Sequence, residues 1–378
     1  MKKITLLIVS IIVSYSLSGS IELVKDGKPL ARIIADTNNN TDSLAASLLN
    51  SFIKKITGTE LPVEKPGGKN KTGDVIIKAS SDPDIKEDGF RLFSDGKTLL
   101  VEGGEGKGTL YGVVTLLEDY FGVRYYAANA LDIPETKTLT VPANLNRIEN
   151  PSFRHRQTQS YSMALDPLYK IWNRLEDPGE IFAAGYWVHT FDRLLPSAKY
   201  GKSHPEYYSL INGQRRPGSA SQWCLTNNDV FEIVSMRIDS IFKTNPDQKM
   251  ISVSQNDGNF TNCQCEHCKK IDDENGGPSG SIIYFLNKLA ERFPDKEFST
   301  LAYLYSMNPP KNIRPLPNVN IMLCNIDCYR EVPLTDNPSG QHFMKALEGW
   351  AKISDNIFVW DYGINFDNYV SPFPNLHI

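Results

Sequence analysis

The sequence predicts an α/β protein in which a small α+β domain is followed by a TIM-type (β/α)-barrel that is truncated at its C-terminal end. Two observations predict this fold class. Before about residue 150, pairs of short strands alternate with two amphipathic helices, whereas strands, long loops and helices alternate after it. Several of the later strands are followed at once by polar residues, as in barrels whose sites lie at the carboxyl ends of their strands.

The composition is that of an ordinary globular protein. The chain has 378 residues, of which 40% are hydrophobic, and its formal net charge is −4. These values exclude collagen-like, disordered and multi-spanning membrane proteins, and the acidic balance argues against a nucleic-acid partner. At roughly 100 to 200 residues per domain, the length fits two domains. The oligomeric state does not follow from these values.

The N-terminus predicts a signal peptide over residues 1–18. Lys2 and Lys3 precede an apolar run over residues 4–15, and Ser16 and Ser18 supply the small residues of a cleavage site. The apolar run is too short to span a bilayer, which takes about 20 residues. We therefore expect an exported protein, periplasmic or extracellular, with no membrane attachment after cleavage.

The first domain is predicted over residues 19–148. Apolar residues within 44–56 recur at helical spacing, with Thr41 as the candidate cap and Gly58 as the stop, and a second amphipathic helix follows over 110–121. Short strands are predicted within residues 21–35, 75–78, 90–93 and 98–101. Strand pairs that alternate with two helices indicate a sheet covered on one face.

The second domain is predicted over residues 149–378. Its six candidate strands cover residues 153–161, 186–191, 250–254, 299–305, 320–324 and 357–360. Its predicted helices cover residues 229–242, 281–293 and 342–350. A closed barrel takes eight strands. We therefore expect the barrel to continue beyond this chain, with strands unrecognised in the stretch 163–225 as the alternative.

Two segments resemble the non-catalytic N-terminal domain of bacterial α-glucuronidases and β-hexosaminidases. They are ITGTELPV at 56–63 and GTLYGVVTLLEDYFGVRYY at 108–126. The segment NPSFRHR at 150–156 resembles the start of the hexosaminidase barrel, where an arginine grips the sugar. Arg156 matches the position of that arginine.

Three later segments resemble an uncharacterised barrel family that is common in glycan-degrading Bacteroidetes. They are SVSQNDGNFTNCQCEHC at 252–268, AYLYSMNPP at 302–310 and VWDYGINFDNYVSPFPN at 359–375. The combination implies a barrel protein with a carbohydrate substrate, an α-glucuronidase-like or hexosaminidase-like specificity and no redox cofactor.

Glycoside hydrolysis usually takes two carboxyl groups on either side of the scissile bond. Asp257 follows the third candidate strand and is the predicted general acid, and Asp361 follows the sixth as the predicted second carboxylate. Asp327, after the fifth strand, is a further candidate. Each aspartate could instead cap a helix or close a loop.

Five residues are predicted to bind the substrate, namely Arg156, His189, Asn256, Trp360 and Tyr362. The arginine would hold a carboxylate or hydroxyls through its bidentate fork. The asparagine would hold a hydroxyl or acetamido group and the histidine a hydroxyl. The two aromatic residues offer faces for stacking on sugar rings. An internal ion pair is the alternative for the arginine, and a purely structural role is the alternative for the histidine.

Cys263, Cys265 and Cys268 form the most specific local pattern in the sequence. Three thiolates and a fourth ligand would make a structural zinc site. The fourth ligand would be His267, Cys324 or Cys328. Because export favours disulfides, we expect disulfides in preference to zinc, with free thiols as the third alternative. Disulfides and zinc would both fix the loop that follows Asp257.

The sequence thus predicts an exported protein that hydrolyses O-glycosidic bonds in a polysaccharide or glycan by carboxyl acid/base chemistry. A non-catalytic glycan-binding or structural barrel is the main alternative. A zinc hydrolase built on the cysteine cluster is a third interpretation.

Overall fold

The computed structural model describes residues 19–258, 261–329 and 332–364. The chain divides into two compact units, one up to Glu176 and one from Asp177 onward. The predicted signal peptide lies outside the described residues. Every helix within them is too short or too polar to cross a lipid bilayer.

The first unit is built on a six-stranded mixed sheet with the strand order β11-β6-β7-β5-β3-β4. Its strands are β1 Ser20–Lys25, β2 Lys28–Pro29, β3 Ile33–Ala35, β4 Val63–Glu64, β5 Val75–Ala79, β6 Phe90–Ser94, β7 Leu99–Gly103, β8 Arg124–Ala127, β9 Ala130–Asp132, β10 Leu139–Pro142 and β11 Asn146–Glu149. Its helices are α1 Asn40–Thr57, α2 Gly108–Thr115, α3 Tyr161–Leu165 and α4 Pro167–Trp172. Helices α1 and α2 pack against each other and against this sheet.

Helix α1 forms where its apolar spacing predicts it. The side chain of Asn39 accepts hydrogen bonds from the amides of Thr41 and Asp42, so Asn39 is the N-cap, two residues before the predicted cap. The helix ends at Gly58, whose φ of +79° is the left-handed conformation that glycine adopts without a Cβ clash. The apolar face, which includes Leu49 and Ile53, lies in the core of the unit.

The segment between the predicted boundary at residue 149 and Glu176 belongs to the first unit. Trp172 on α4 is buried in the core of that unit, where its ring centroid lies 5.5 Å from that of Phe52. The strand predicted over residues 153–161 is absent, because residues 153–160 are irregular and α3 begins at Tyr161. The segment is largely polar, so it lacks the apolar alternation that stabilises a half-buried strand.

The second unit contains a four-stranded parallel sheet in the order β14-β15-β16-β17 and a two-stranded hairpin. Its strands are β12 Leu210–Ile211, β13 Gln214–Arg215, β14 Met250–Ser252, β15 Glu297–Ala302, β16 Val319–Cys324 and β17 Ile357–Trp360. Its helices are α5 Pro178–Ile181, α6 Phe191–Leu194, α7 Ser197–Tyr200, α8 Asn228–Thr244, α9 Glu266–Asn275, α10 Ser279–Arg292 and α11 Pro338–Ala351. The last four predicted strands and the three predicted helices are therefore confirmed.

The sheet is wound in one direction, since neighbours in the sheet are consecutive along the chain. Because parallel crossovers are right-handed, connections that all step the same way place their helices on one face, as in a (β/α)-barrel. The described residues supply four of the eight strands that a closed barrel needs. Strands β15 and β16 are almost entirely buried, and the largely apolar sequence VNIMLC of β16 is typical of a strand covered on both faces.

Residues 186–191 run beside β14 but do not form the predicted strand. The amide of Ser252 donates to the carbonyl of Tyr186 at 2.8 Å, and the amide of Thr190 donates to the carbonyl of Ser254 at 3.1 Å. Between these contacts His189 has a φ of +51°, which breaks the extended backbone. Upstream, Phe182 makes a single parallel bridge to Met250.

Candidate active site

Polar residues from all four parallel strands gather at the carboxyl edge of the second unit's sheet. Asp257 lies beyond β14, Tyr303 directly follows β15, Asp327 lies beyond β16, and Asp361 directly follows β17. Parallel strands end at the same edge, so the order of the strands sets the order of these side chains. The three aspartates are exposed, whereas Tyr303 is buried.

Tyr303 is at the centre of this edge. Burial, together with the carboxylates of Asp257 and Asp327, raises the pKa of Tyr303 to about 12. The hydroxyl therefore keeps its proton throughout the neutral range, and it lies within electrostatic reach of two carboxylates from the strands on either side.

The backbone at Tyr303 is held by a buried polar network. Gln255 donates from Nε2 to the carbonyl of Tyr303 at 3.0 Å and accepts from the hydroxyl of Ser306 at 2.7 Å. The amide of Tyr303 in turn donates to the oxygen of Ser306 at 3.1 Å. Because Gln255 and Ser306 are almost fully buried, this network fixes the ends of β14 and β15 relative to each other.

Strand spacing separates the candidate carboxylate pairs. Neighbouring strands lie about 4.8 Å apart, so the ends of β14 and β16 are on the order of 10 Å apart and those of β14 and β17 on the order of 14 Å. The first value is close to the range of roughly 6.5 to 9.5 Å found between the carboxyl groups of inverting glycosidases. By strand order, Asp327 is one strand nearer to Asp257 than the predicted partner Asp361 is.

Asp361 has a different partner. Asn325, which directly follows β16 and is buried, donates from Nδ2 to Oδ1 of Asp361 at 2.5 Å. This bond joins the ends of β16 and β17 and orients the carboxylate. The amide of Asn325 also donates to the carbonyl of Trp360 at 3.3 Å.

Asn256 is enclosed by protein contacts. Its side chain accepts from the amide of Asp192 at 3.0 Å and donates to the carbonyl of Ser221 at 2.6 Å, and its backbone amide donates to Gln222 Oε1 at 2.9 Å. The residue is only 6% exposed. These contacts join Asn256 to the segments around Asp192 and Ser221, and its role in substrate binding stays a prediction.

His189 lies close to the central tyrosine. Its ring centroid is 6.0 Å from that of Tyr303, and its Nδ1 lies 2.8 Å from the carbonyl oxygen of Gln255. A carbonyl only accepts, so Nδ1 carries the proton, which leaves Nε2 as an acceptor in the neutral ring. The half-buried imidazole can therefore accept a hydrogen bond from a sugar hydroxyl, as the sequence predicts.

Three aromatic rings from different parts of the chain pack together at the same edge. Trp187 stacks on Trp360 with centroids 4.9 Å apart and planes inclined by 18°, and the rings of Trp360 and Tyr362 lie 6.0 Å apart. They pack against a small buried cluster that contains Tyr303 and Met322. Trp360 and Tyr362 are thus beside the candidate carboxylates, where the sequence places them, and Trp187 joins them.

Arg156 lies in the first compact unit, and the structure assigns its guanidinium to contacts there. Nη2 donates to Asp88 at 2.6 Å, Nε donates to the carbonyl of Arg174 at 2.8 Å, and Nη1 donates to the carbonyl of Phe153 at 2.7 Å. The internal ion pair that the sequence left as the alternative is therefore present. The guanidinium is therefore engaged by protein groups, and its predicted sugar-gripping role stays a prediction.

The residues most suited to holding a metal form a second cluster, defined by the thiols of Cys224, Cys263, Cys265 and Cys268. The fourth member is Cys224, which differs from the predicted candidates. His267 is exposed, while Cys324 and Cys328 lie in other buried clusters. All six cysteines lie in the described residues and none of them is in a disulfide, so the predicted disulfides are absent.

Two important residues escape sequence reasoning. The sequence predicts that Tyr303 lies inside a strand that runs to residue 305, whereas β15 ends at Ala302 and Tyr303 is the first residue beyond it. Cys224 lies far upstream of the other three cysteines, and spacing alone does not connect them.

Residues 125–378 match the family described as a domain of unknown function (DUF4838), and residues 26–119 match glycosyl hydrolase family 20, domain 2. These matches confirm the combination of domains that the sequence motifs indicate. No curated protein matches the chain.

Several solved structures are similar to the chain at low identity. The GH20 β-N-acetylhexosaminidase of Streptomyces coelicolor A3(2) is 12% identical with a TM-score of 0.48, covering 92% of this chain and 73% of its own. The β-N-acetylhexosaminidase of Bacteroides fragilis NCTC 9343 is 12% identical with a TM-score of 0.46, and the match covers 95% of this chain and 76% of that enzyme. A family 89 glycoside hydrolase of Clostridium perfringens is 12% identical with a TM-score of 0.46, and the match covers 78% of this chain and 40% of that enzyme.

Proposed function

This chain belongs to the DUF4838 family, and we propose that it is an exported glycoside-hydrolase-like protein that cleaves O-glycosidic bonds in a polysaccharide or glycan. The observation that carries the proposal is that Asp257, Tyr303 and Asp327 follow three neighbouring parallel strands, β14, β15 and β16, at one edge of the sheet. The match of residues 26–119 to a glycosyl hydrolase domain supports a carbohydrate substrate. The one-directional winding of the parallel sheet supports a (β/α)-barrel as the catalytic domain.

In the proposed mechanism Asp257 is the general acid that protonates the leaving oxygen, and Asp327 is the base that activates water on the opposite face of the sugar. The second role passes from Asp361 to Asp327 because of the strand spacing. General acid–base catalysis of this kind contributes about 10² to 10⁴ in rate. A base that activates water on the face opposite the leaving group corresponds to inversion at the anomeric carbon.

Tyr303 has a positioning role in this mechanism. Its phenol remains protonated, since its pKa is about 12, and a hydroxyl can both donate and accept. It can therefore donate to an ionised carboxylate and accept from a protonated one. The hydroxyl thus holds the Asp257 carboxyl in one orientation on both sides of a proton transfer.

The remaining residues at this edge would bind the sugar. His189 offers Nε2 as an acceptor for a hydroxyl, and the carboxylate of Asp361, oriented by Asn325, is a further acceptor. Trp360 and Tyr362 would provide the apolar face on which a pyranose ring stacks. α-Glucuronidase-like and hexosaminidase-like specificities both remain within this proposal, and the assay below includes a substrate for each.

The test is turnover of aryl glycosides by the wild type and by Asp257→Asn and Asp327→Asn. An aryl N-acetyl-β-hexosaminide and an aryl α-glucuronide would be assayed, together with natural glycans. Each substitution keeps the size of the side chain and removes its acid/base function, so kcat should fall at least 100-fold. Ligand affinity measured by calorimetry should change little.

The matched control is Asp247→Asn. Asp247 is an exposed aspartate just before β14, at the opposite end of the strand that leads to Asp257. It should keep the wild-type kcat. Wild-type turnover in both active-site variants would refute the proposed roles, and glycan binding without any turnover by the wild type would favour the non-catalytic barrel.

A further inference from the structure

The four sulfur atoms of the cysteine cluster converge on one point although they come from separate parts of the chain. Cys224 lies ahead of α8, Cys263 and Cys265 lie in the loop after Asp257, and Cys268 lies in the first turn of α9. All four Sγ atoms are within 4.8 Å of one another. The Sγ atom of Cys224 is 3.6 Å from that of Cys265 and 4.0 Å from that of Cys268.

These separations fit a tetrahedral tetrathiolate metal site. Zinc–sulfur bonds are about 2.3 Å long, and the edges of a tetrahedron with that radius are about 3.8 Å. The two distances from Cys224 lie on either side of that value. A disulfide would join cysteines in pairs and would not require four thiols to meet at one point.

The cluster is buried and closed. Cys263 and Cys268 are 2% and 1% exposed, and Cys224 is 4% exposed. The four cysteines form their own small buried group with Leu210 of the hairpin. A site with four protein ligands and no open position is structural in character, because a catalytic zinc keeps a position for water.

Donors surround the sulfur atoms as they do around thiolate ligands. The amide of Leu210 donates to Cys263 Sγ at 3.3 Å, and Arg215 Nη1 lies 3.6 Å from the same sulfur. The hydroxyl of Thr226 is 3.2 Å from Cys268 Sγ. Such outer contacts orient metal ligands, and the arginine offsets part of the excess negative charge of a tetrathiolate zinc.

The start of α9 adds to the same environment. Cys265 is the N-cap of this helix and Cys268 lies in its first turn, where the helix dipole favours negative charge. His267 on the same turn is exposed and does not belong to the group of ligands that converge.

We propose that Cys224, Cys263, Cys265 and Cys268 bind one Zn²⁺ in a closed structural site. The ion fastens the segment ahead of α8 and the loop after Asp257 to the start of α9, and the β12–β13 hairpin packs against the site through Leu210. Hydrogen bonds already join these parts, since the amide of Gln264 donates to the carbonyl of Leu210 at 2.7 Å and the amide of Asn212 donates to Gln264 Oε1 at 2.9 Å. Each cysteine releases its proton on binding, so the site forms from four thiolates and one Zn²⁺. The proposal is independent of the glycosidase chemistry.

The experiment is metal analysis of the purified wild-type protein, prepared without chelators in zinc-containing medium. We expect one zinc per chain, together with a mass that shows six reduced cysteines. Cobalt substitution should give the visible absorption bands of a tetrahedral tetrathiolate centre. Modification of the thiols with a mercurial should release zinc in proportion to the number of thiols that are modified.

Variants separate the site from general destabilisation. Cys224→Ser and Cys268→Ser should lose the zinc and unfold at a lower temperature, whereas Cys324→Ser and Cys328→Ser, buried outside the cluster, should keep it. If the cluster variants do not fold, the metal content and the cobalt spectrum of the wild type still test whether the four cysteines bind zinc. No zinc together with two disulfides, or stoichiometric iron in its place, would overturn the proposal.

Discussion

Replacement of Tyr303 by Phe removes a single oxygen from the centre of the proposed site. The ring is 8% exposed and packs with Met322 and Cys324, so the phenylalanine keeps that packing. The substitution does remove the hydroxyl whose pKa the carboxylates of Asp257 and Asp327 raise. A hydrogen bond to a charged group contributes about 1.5 to 3 kcal/mol, which corresponds to roughly 10- to 160-fold in rate.

The assay compares kcat and kcat/KM of the wild type and Tyr303→Phe on the best glycoside. If Tyr303 positions the acid, kcat should fall by that factor, while KM and the unfolding temperature change little. The matched control is Tyr284→Phe on α10, half-buried and away from the carboxyl edge. Wild-type kcat in Tyr303→Phe would refute the positioning role, and an equal loss in both variants would show that the effect is not specific to the site.

Two predictions concern the stability of the first unit. Burial alone would raise the pKa of Asp74, but hydrogen bonds from Arg32 and from the Lys71 amide hold that pKa below its ordinary value. The ionised Asp74 therefore stabilises the fold above about pH 4, and this stabilisation is lost as the pH falls through the folded pKa. In denaturant titrations Asp74→Asn should lower the free energy of unfolding by about 3 kcal/mol at pH 7 and by less at pH 3. An equal loss at both pH values would contradict this reasoning. Gly58→Ala places a Cβ on a residue with a φ of +79°, so it should lower the free energy of unfolding by about 1 kcal/mol in the same titration. An unchanged midpoint would show that the helix end adjusts.

Much of the fold follows from local sequence patterns. The apolar runs of β14 to β17 and the amphipathic stripes of α1, α8, α10 and α11 are strong periodic signals, and each forms close to its predicted position. Helix α9 was missed because its sequence EHCKKIDDEN is almost entirely polar. It is held through Cys268, and a hydrogen bond from the Ser281 amide to Asp272 joins its end to α10, none of which depends on an apolar stripe.

The failures share a physical cause, which is that tertiary contacts decide short irregular segments. Residues 153–161 join the first unit through the helices that follow them, and His189 leaves the extended conformation although its neighbours suit a strand. The choice between Asp327 and Asp361 depends on strand order, which a single sequence does not reveal. Likewise, Cys224 meets the other cysteines only once α8 and α9 are packed.

The most direct measurement is a double-mutant cycle in kcat on Asp257 and Asp327. Groups that act on the same chemical step are strongly non-additive. The double variant Asp257→Asn/Asp327→Asn should therefore be little slower than the slower single variant, with each single variant at least 100-fold below the wild type. If Asp327→Asn retains full turnover while Asp361→Asn abolishes it, the central pair has been assigned to the wrong strands.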